Sequence, residues 1–248
     1  MKDLTLITCS YETPMVTLTM LKSFKYHNEK DFDKMNLLIM ENSNDESTRT
    51  LLDVHNISYV SNVGGTHSKS LDKALKMCKT KYALVVDTDI IFYGSIIEEY
   101  KRIKQEHIIL SGIECGDRGS LSLYTRIHPW FMFIDVEEIN IKKINFHDDV
   151  RINYTNSNDF YGHIPLIKTR PTGKLYDVGS TFYEDLINEK CKIDNNQNIQ
   201  KLFKHYEGTS WYTKCGIKCY VEHGNKVMDE YSQEVIKYQN VNVNNYFI

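Results

Sequence analysis

The stretch Tyr82-Ala83-Leu84-Val85-Val86-Asp87-Thr88-Asp89 joins a run of aromatic and aliphatic residues to an acidic pair. Its apolar half has the length and the β-branched content of a buried strand. Side chains two apart on an extended backbone point the same way, so we expect Asp87 and Asp89 to lie together at the mouth of that strand. The segment therefore predicts a buried strand that ends in two cooperating carboxylates.

Strand-like and helix-like segments alternate through the residues before this stretch. Strands are predicted over 4–9, 36–41, 57–61 and 82–86, and helices over 45–54, over 66–78 and from Thr13-Pro14, a cap residue before a first-turn proline. Alternating β and α units of this length predict a parallel sheet with helices on both faces. Ligands bind beyond the carboxyl ends of the strands in such sheets, so the loops at 8–13, 41–45, 62–67 and 87–89 are the expected site.

The alternation becomes irregular farther along the chain. Ser95-Ile96-Ile97-Glu98 has the spacing of a capping box and predicts the start of a helix. An apolar strand is predicted over 131–134, a polar loop over 145–171 and a helix from near Ser180. The last 35 or so residues are polar and show no period, so they receive no assignment.

The composition of the 248 residues, 41% of them apolar, predicts a globular chain of one large domain or two closely fused halves. The net charge of -3 creates no overall field for polyanions, so a nucleic-acid partner would need a local basic patch. The chain has no membrane-span or signal-peptide pattern, which predicts a cytosolic location. Its six cysteines are scattered without C-x-x-C pairs and predict reduced thiols, not a disulfide framework or a zinc site.

The acidic pair after the fourth predicted strand suits a divalent cation. Mg²⁺ and Mn²⁺ prefer carboxylate and phosphate oxygens, and a few side chains with a substrate diphosphate suffice to hold either ion. Such a cation would offset the charge that develops on a departing nucleotide. The alternative is a turn with two solvated carboxylates, because D-x-D alone is a common tripeptide.

Four segments together resemble the inverting family 2 glycosyltransferases of the GT-A type, over roughly residues 4 to 211. They are 7–11, 38–45, 62–74 followed by Asp87-Thr88-Asp89, and His205-Tyr206-Glu207-Gly208-Thr209-Ser210-Trp211. The resemblance implies a Rossmann-like GT-A fold, with a mostly parallel sheet flanked by helices and an irregular C-terminal acceptor-binding half. It divides the chain into a nucleotide-sugar half (1–125), an acceptor-binding and catalytic half of the same domain (126–211) and a C-terminal extension (212–248).

The same resemblance assigns roles to particular residues. It implies Mn²⁺ or Mg²⁺ as the cofactor and Asp89 and His205 as metal ligands, with His223 as the competitor of His205. Asp177 is the implied general base that takes the acceptor hydroxyl proton, with Glu184 and Asp185 as alternatives. His128 and Trp130 open the acceptor half, where the indole ring either stacks on a sugar or base or anchors the core. The implied nucleotide-sugar contacts are Thr8, Ser10, Tyr11, Glu41, Gly64, His67, Asp87 and Thr88.

The predicted activity is transfer of a sugar, with inversion, from a nucleotide-sugar donor to an acceptor hydroxyl. A UDP-sugar is the donor expected by analogy, and the expected acceptor is a saccharide or glycoconjugate, with a hydroxymethylated base in DNA as the second possibility. A nucleotidyltransferase is the first alternative, but the loop at 10–13 lacks the Gly-rich, basic character typical of that class. A non-catalytic nucleotide-sugar-binding module is the second. The oligomeric state and the donor identity stay open.

Overall fold

A computed structural model gives the structure of the protein for residues 3–116, 125–146, 153–155, 166–168, 178–206 and 221–244. For 153–155, 166–168 and 221–226 it describes the backbone alone. The four cysteines within these residues are free thiols: Cys9, Cys78, Cys115 and Cys191.

The central sheet is mostly parallel, as predicted. Seven strands lie side by side in the order β10-β6-β7-β4-β1-β2-β3, and β7 alone among them runs antiparallel to its neighbours β4 and β6. Two short antiparallel pairs, β5 with β11 and β8 with β9, lie outside this sheet. The strands are β1 Leu4–Ser10, β2 Met35–Glu41, β3 Val60–Ser61, β4 Tyr82–Asp87, β5 Ile90–Phe92, β6 Leu110–Cys115, β7 Arg126–Asp135, β8 Asn153–Thr155, β9 Leu166–Lys168, β10 Ile193–Asn195 and β11 Phe203–His205.

Helices pack against both faces of the central sheet. They are α1 Pro14–His27, α2 Glu29–Phe32, α3 Ser47–Val54, α4 His67–Met77, α5 Ile97–Glu106, α6 Val136–Lys142, α7 Ser180–Asn188 and α8 Val221–Tyr238, with a 3-10 helix at Gln197–Leu202. Along β4, Leu84 and Val86 join a core under α1, α3 and α5, while Ala83 and Val85 join a second core under α4, α6 and α7. This alternation is the period of an extended strand that is buried on both sides. The predicted α/β architecture is confirmed.

A helix begins at Ile97, as predicted, but three local predictions were wrong. The stretch 145–171, predicted as a loop, contains the paired strands β8 and β9. The Ser95–Glu98 capping box does not form, because Ser95 Oγ donates to Asn28 Oδ1 at 3.0 Å and accepts from the Ile97 amide at 3.3 Å, while Glu98 pairs with Lys101. The tertiary partner Asn28, which also accepts from the Ile96 amide, caps this helix in place of the local box. The third strand is shorter than the predicted 57–61, since only Val60–Ser61 pairs with β2.

The C-terminal helix α8 packs on the first helix and on the β5–β11 pair. A small core joins Val16 and Ile91 to three buried tyrosines, Tyr206, Tyr231 and Tyr238. Tyr238 donates from its hydroxyl to the Phe92 carbonyl at 3.1 Å. The segment that the sequence left unassigned thus contains a helix that supports the edge of the sheet. No helix within the described ranges has both the length and the apolar character that crossing a membrane requires.

Candidate functional site

Three ligand-type side chains meet at the carboxyl end of β4. One donor atom from each of Asp87, Asp89 and His205 lies within 4.8 Å of the other two, and these three residues form a group that could hold a metal ion. Asp87 ends β4, and Asp89 follows it before β5 begins. The short ladder between β5 and β11 pairs His205 with Ile90, and the Tyr206 amide donates to the Asp89 carbonyl at 2.9 Å. Backbone pairing therefore brings the histidine to the acidic pair.

One distance within this group matches the spacing of neighbouring ligands around a cation. His205 Nε2 lies 3.1 Å from Asp89 Oδ1, and Asp89 is buried while the Asp87 side chain is 30% exposed. Bonds of about 2.0–2.1 Å in an octahedral site place neighbouring ligand atoms about 3 Å apart, so this pair already has the required spacing. Two carboxylates and one imidazole also form a donor set that suits a divalent ion. The residues present fit the predicted metal.

The Trp130 ring contacts the histidine of this group, and two further rings contact Trp130. The Trp130 ring stacks on His205 with centroids 4.8 Å apart and an interplanar angle of 28°, and it lies 4.6 Å from the His128 ring. Phe203 meets the same indole edge-on at 5.5 Å. His128 is buried and Trp130 is half-buried. Both residues predicted to contact the acceptor therefore lie beside the predicted metal site.

The N-terminus of α4 faces Asp87 across the same edge of the sheet. His67, the first residue of α4, places Nε2 3.7 Å from Asp87 Oδ1. Gly64 has a φ of +73°, which glycine adopts without strain. A Cβ at Gly65 would lie 2.0 Å from Asn62 Nδ2 and 2.9 Å from the Asn62 carbonyl, so this position accepts glycine alone without a shift. The loop that contains Gly64 and Gly65 therefore leads directly into the first turn of α4.

The loop after β2 is held by buried polar side chains that bond to other loops of the site. Glu41 is fully buried, accepting from Arg49 Nη1 at 2.7 Å and from the Ser43 amide at 2.9 Å. Asn42 Oδ1 accepts from Asn62 Nδ2 at 2.8 Å and from Ser70 Oγ at 2.9 Å. Glu41 and Asn42 therefore tie their loop to α3 and to the start of α4. In this structure Glu41 exposes no surface to a nucleoside.

The end of β1 contributes one exposed side chain among the predicted contacts. Thr8 and Ser10 are buried, and Ser10 Oγ lies 2.9 Å from Thr17 Oγ1 of α1. Tyr11 is 44% exposed, and its hydroxyl accepts from Asn44 Nδ2 at 3.0 Å. Beside it, a surface cavity of about 460 Å³ is lined by residues 12–16, Asp45 and Ser47.

Cys9 lies at the end of β1 next to the acidic pair, opposite Asp87 in the register between β1 and β4. Burial, and then the Asp87 charge, raise the pKa of the Cys9 thiol well above its ordinary value. A thiol with a raised pKa stays protonated and is a poor nucleophile. The chemistry of this edge therefore rests on the carboxylates and the imidazole.

Several predicted roles fall where the structure gives no test. Asp177 lies outside the described residues, and so does the segment 207–220 with Trp211. His223 lies within α8, where the backbone alone is described. Thr88 is buried between the two aspartates, and the alternatives Glu184 and Asp185 lie partly buried on α7. Arg49 had no signal in the sequence, because its partner Glu41 is eight residues away and reached only through the fold.

No known protein family and no curated protein matches the sequence. Solved structures similar to this chain include the mannosyltransferase PcManGT from Pyrobaculum calidifontis with GDP-Man and Mn²⁺ (TM-score 0.47, 14% identity, 59% of this chain and 48% of that one). S. aureus TarS with UDP-GlcNAc gives a TM-score of 0.41 at 15% identity, over 58% of this chain and 48% of that one. The galactosyltransferase LgtC with donor and acceptor sugar analogs gives 0.42 at 11% identity, over 58% and 60%. The match spans about half the length of the first two structures.

Proposed function

We propose that this protein is a metal-dependent glycosyltransferase that uses a nucleotide-sugar donor and transfers the sugar with inversion, as the resemblance to family 2 enzymes implies. The observation that carries the proposal is the group of Asp87, Asp89 and His205 at the carboxyl end of a buried strand. The aspartates and the histidine belong to two separate segments of the resemblance, and the fold brings their donor atoms within 4.8 Å of one another. A turn with solvated carboxylates would not require the histidine.

Asp89 and His205 are the proposed metal ligands, with Asp87 beside them. The imidazole in the donor set favours Mn²⁺ over Mg²⁺, which keeps mostly oxygen ligands. When bound, the cation would stabilise the negative charge of the departing nucleoside diphosphate. Helix α4 begins at the same edge, and its free amides and positive dipole end favour a phosphate there.

The donor would lie along the loops that follow the strands. Tyr11 offers the exposed ring at the β1 end, and the loop of Gly64 allows a close approach of ligand to backbone. His67 lies next to Asp87, within reach of a diphosphate held at α4. Glu41 is buried in its ion pair with Arg49, so we propose that it fixes the loop shape behind the nucleoside.

The acceptor side rests on the resemblance alone. Asp177 is the proposed general base, and it would take the proton from the acceptor hydroxyl as that oxygen attacks the anomeric carbon from the face opposite the nucleotide. The proposed acceptor is a saccharide or a glycoconjugate. The proposed division of the chain keeps donor binding in 1–125, the acceptor and the base in 126–211, and an extension in 212–248.

A thermal-shift panel of nucleotide sugars, with and without Mn²⁺, tests the proposal. Ligands that bind only the folded state raise the melting temperature by mass action. The panel includes UDP-GlcNAc and GDP-Man, and we expect one donor class to raise the melting temperature only when Mn²⁺ is present. Transfer or hydrolysis of that donor, followed by NMR of the anomeric configuration, then identifies the reaction and its stereochemistry. A shift that is the same without the metal would contradict the proposal.

A further inference from the structure

Trp130 contacts the predicted metal ligand directly through its ring. The indole stacks on His205 at 4.8 Å and 28°, while the imidazole Nε2 lies 3.1 Å from Asp89 Oδ1. The stack therefore covers a ring face of the histidine while its nitrogen stays directed at the carboxylate. Offset ring stacks of this kind are favourable beyond the area that they bury.

The backbone that carries His205 belongs to a short strand. His205 ends β11, a strand of three residues that pairs only with β5 among the described elements. A short two-stranded ladder opens at lower free-energy cost than a central strand, and a side chain on such a strand has rotamer freedom to lose. Trp130 instead lies on the ten-residue strand β7 within the central sheet. The indole thus connects the long central strand β7 to the short strand β11.

Further rings hold the indole itself. Phe203 meets Trp130 edge-on, and the Phe203 ring stacks on the buried Phe131 at 4.1 Å and 10°. Trp130 Nε1 is buried without a hydrogen-bond partner among the described residues. The positioning argument therefore rests on the ring face and not on the indole N–H.

We propose that Trp130 is a positioning residue for the metal ligand His205, holding the imidazole plane so that Nε2 stays beside Asp89. The inference rests on the proposed function, since it assumes that His205 binds the cation. Trp130 acts through the histidine and needs no contact with the donor or the acceptor. The sequence-based alternative, an indole that stacks on the acceptor sugar, predicts a different phenotype.

Manganese binding separates the two roles without any assay of activity. Free Mn²⁺ gives an electron paramagnetic resonance signal that the bound ion loses, so titration of the full chain yields a dissociation constant. We expect Trp130→Leu to weaken Mn²⁺ binding about tenfold, because partners that orient a metal-ligating histidine contribute about 10–100-fold in affinity. Trp130→Phe keeps a ring face and should stay within about threefold of the unmodified protein.

Two further variants make the result interpretable. Phe133→Leu removes a fully buried ring from the same strand, and we expect it to lower the melting temperature without changing the Mn²⁺ affinity. His205→Ala sets the size of the full loss. If the unmodified protein fails to bind Mn²⁺, the proposed function fails. If His205→Ala loses Mn²⁺ binding while Trp130→Leu keeps it, the positioning role is overturned.

Discussion

Asp89 and His205 are separated by 116 residues in the chain, yet Asp89 Oδ1 and His205 Nε2 lie 3.1 Å apart. The pair is held from both sides. The Tyr206 amide donates to the Asp89 carbonyl, and the Trp130 ring covers the imidazole. The backbone and the side chains both fix this contact. A single substitution can therefore remove one ligand without moving the backbone that carries it.

Removal of the His205 imidazole should weaken Mn²⁺ binding more than removal of any other histidine. Loss of one of three protein ligands leaves two carboxylates, and we expect His205→Ala to raise the dissociation constant for Mn²⁺ at least about tenfold. His223→Ala is the control, since His223 is the competing candidate from the sequence. Titration calorimetry with MnCl₂ measures both. A larger loss in His223→Ala would reverse the assignment.

Gly65 should tolerate alanine less well than its neighbour Gly64. A Cβ at Gly65 meets the Asn62 carbonyl at 2.9 Å and the Asn62 amide, which already donates to Asn42 and Ser70. We expect Gly65→Ala to cost about 1–3 kcal/mol of unfolding free energy, because overpacked sites force backbone shifts.

Gly64→Ala is the matched variant, since its Cβ would meet nothing within 4 Å and only the φ of +73° opposes it. Its expected cost is about 1 kcal/mol. Urea unfolding of both variants gives the comparison. Equal losses would mean that the crowding around Asn62 costs no more than the positive φ at Gly64.

Local signals in the sequence were enough to predict most of the central sheet. Val85 and Val86 predict a buried strand, and the glycines before Thr66 predict the start of α4. Both signals can be read locally, because strand burial and turn chemistry depend on neighbouring residues. The contact between Asp89 and His205 depends on the pairing of two three-residue strands, which no local pattern specifies. His205 was predicted as a ligand only from the resemblance to a family.

The helix α8 escaped prediction for a different reason. Its core-facing residues include Tyr231 and Tyr238, whose hydroxyls bond to the carbonyls of Val16 and Phe92. A tyrosine can bury its ring while its hydroxyl makes a hydrogen bond, but a hydrophobicity pattern counts such a residue as polar. The apolar period of the helix was therefore hidden, and the segment looked patternless.

The buried ion pair of Arg49 and Glu41 should be costly to break on one side. Arg49→Met leaves the Glu41 carboxylate buried without its cation, and the expected loss is about 3–5 kcal/mol of unfolding free energy. The double variant Arg49→Met/Glu41→Met removes both charges and should recover most of that loss. Chemical denaturation of the two single variants and the double variant measures the coupling. Additive effects would show that the pair contributes no specific interaction.

The contact between α1 and α8 should weaken as the pH falls below neutrality. Burial, and next the Lys237 charge, lower the pKa of His27 below its ordinary value, and His27 Nε2 lies 3.1 Å from the Tyr238 hydroxyl. A lowered folded pKa means that the unfolded chain binds the proton more readily. The stability that this histidine contributes is therefore complete above its unfolded pKa of about 6.5 and is lost as pH falls through the folded value.

We expect His27→Gln to flatten the decline in melting temperature between about pH 7 and 5, whereas His107→Asn, a change at an exposed position, should keep the decline. A His27→Gln variant with the same slope as the unmodified protein would place the acid sensitivity elsewhere.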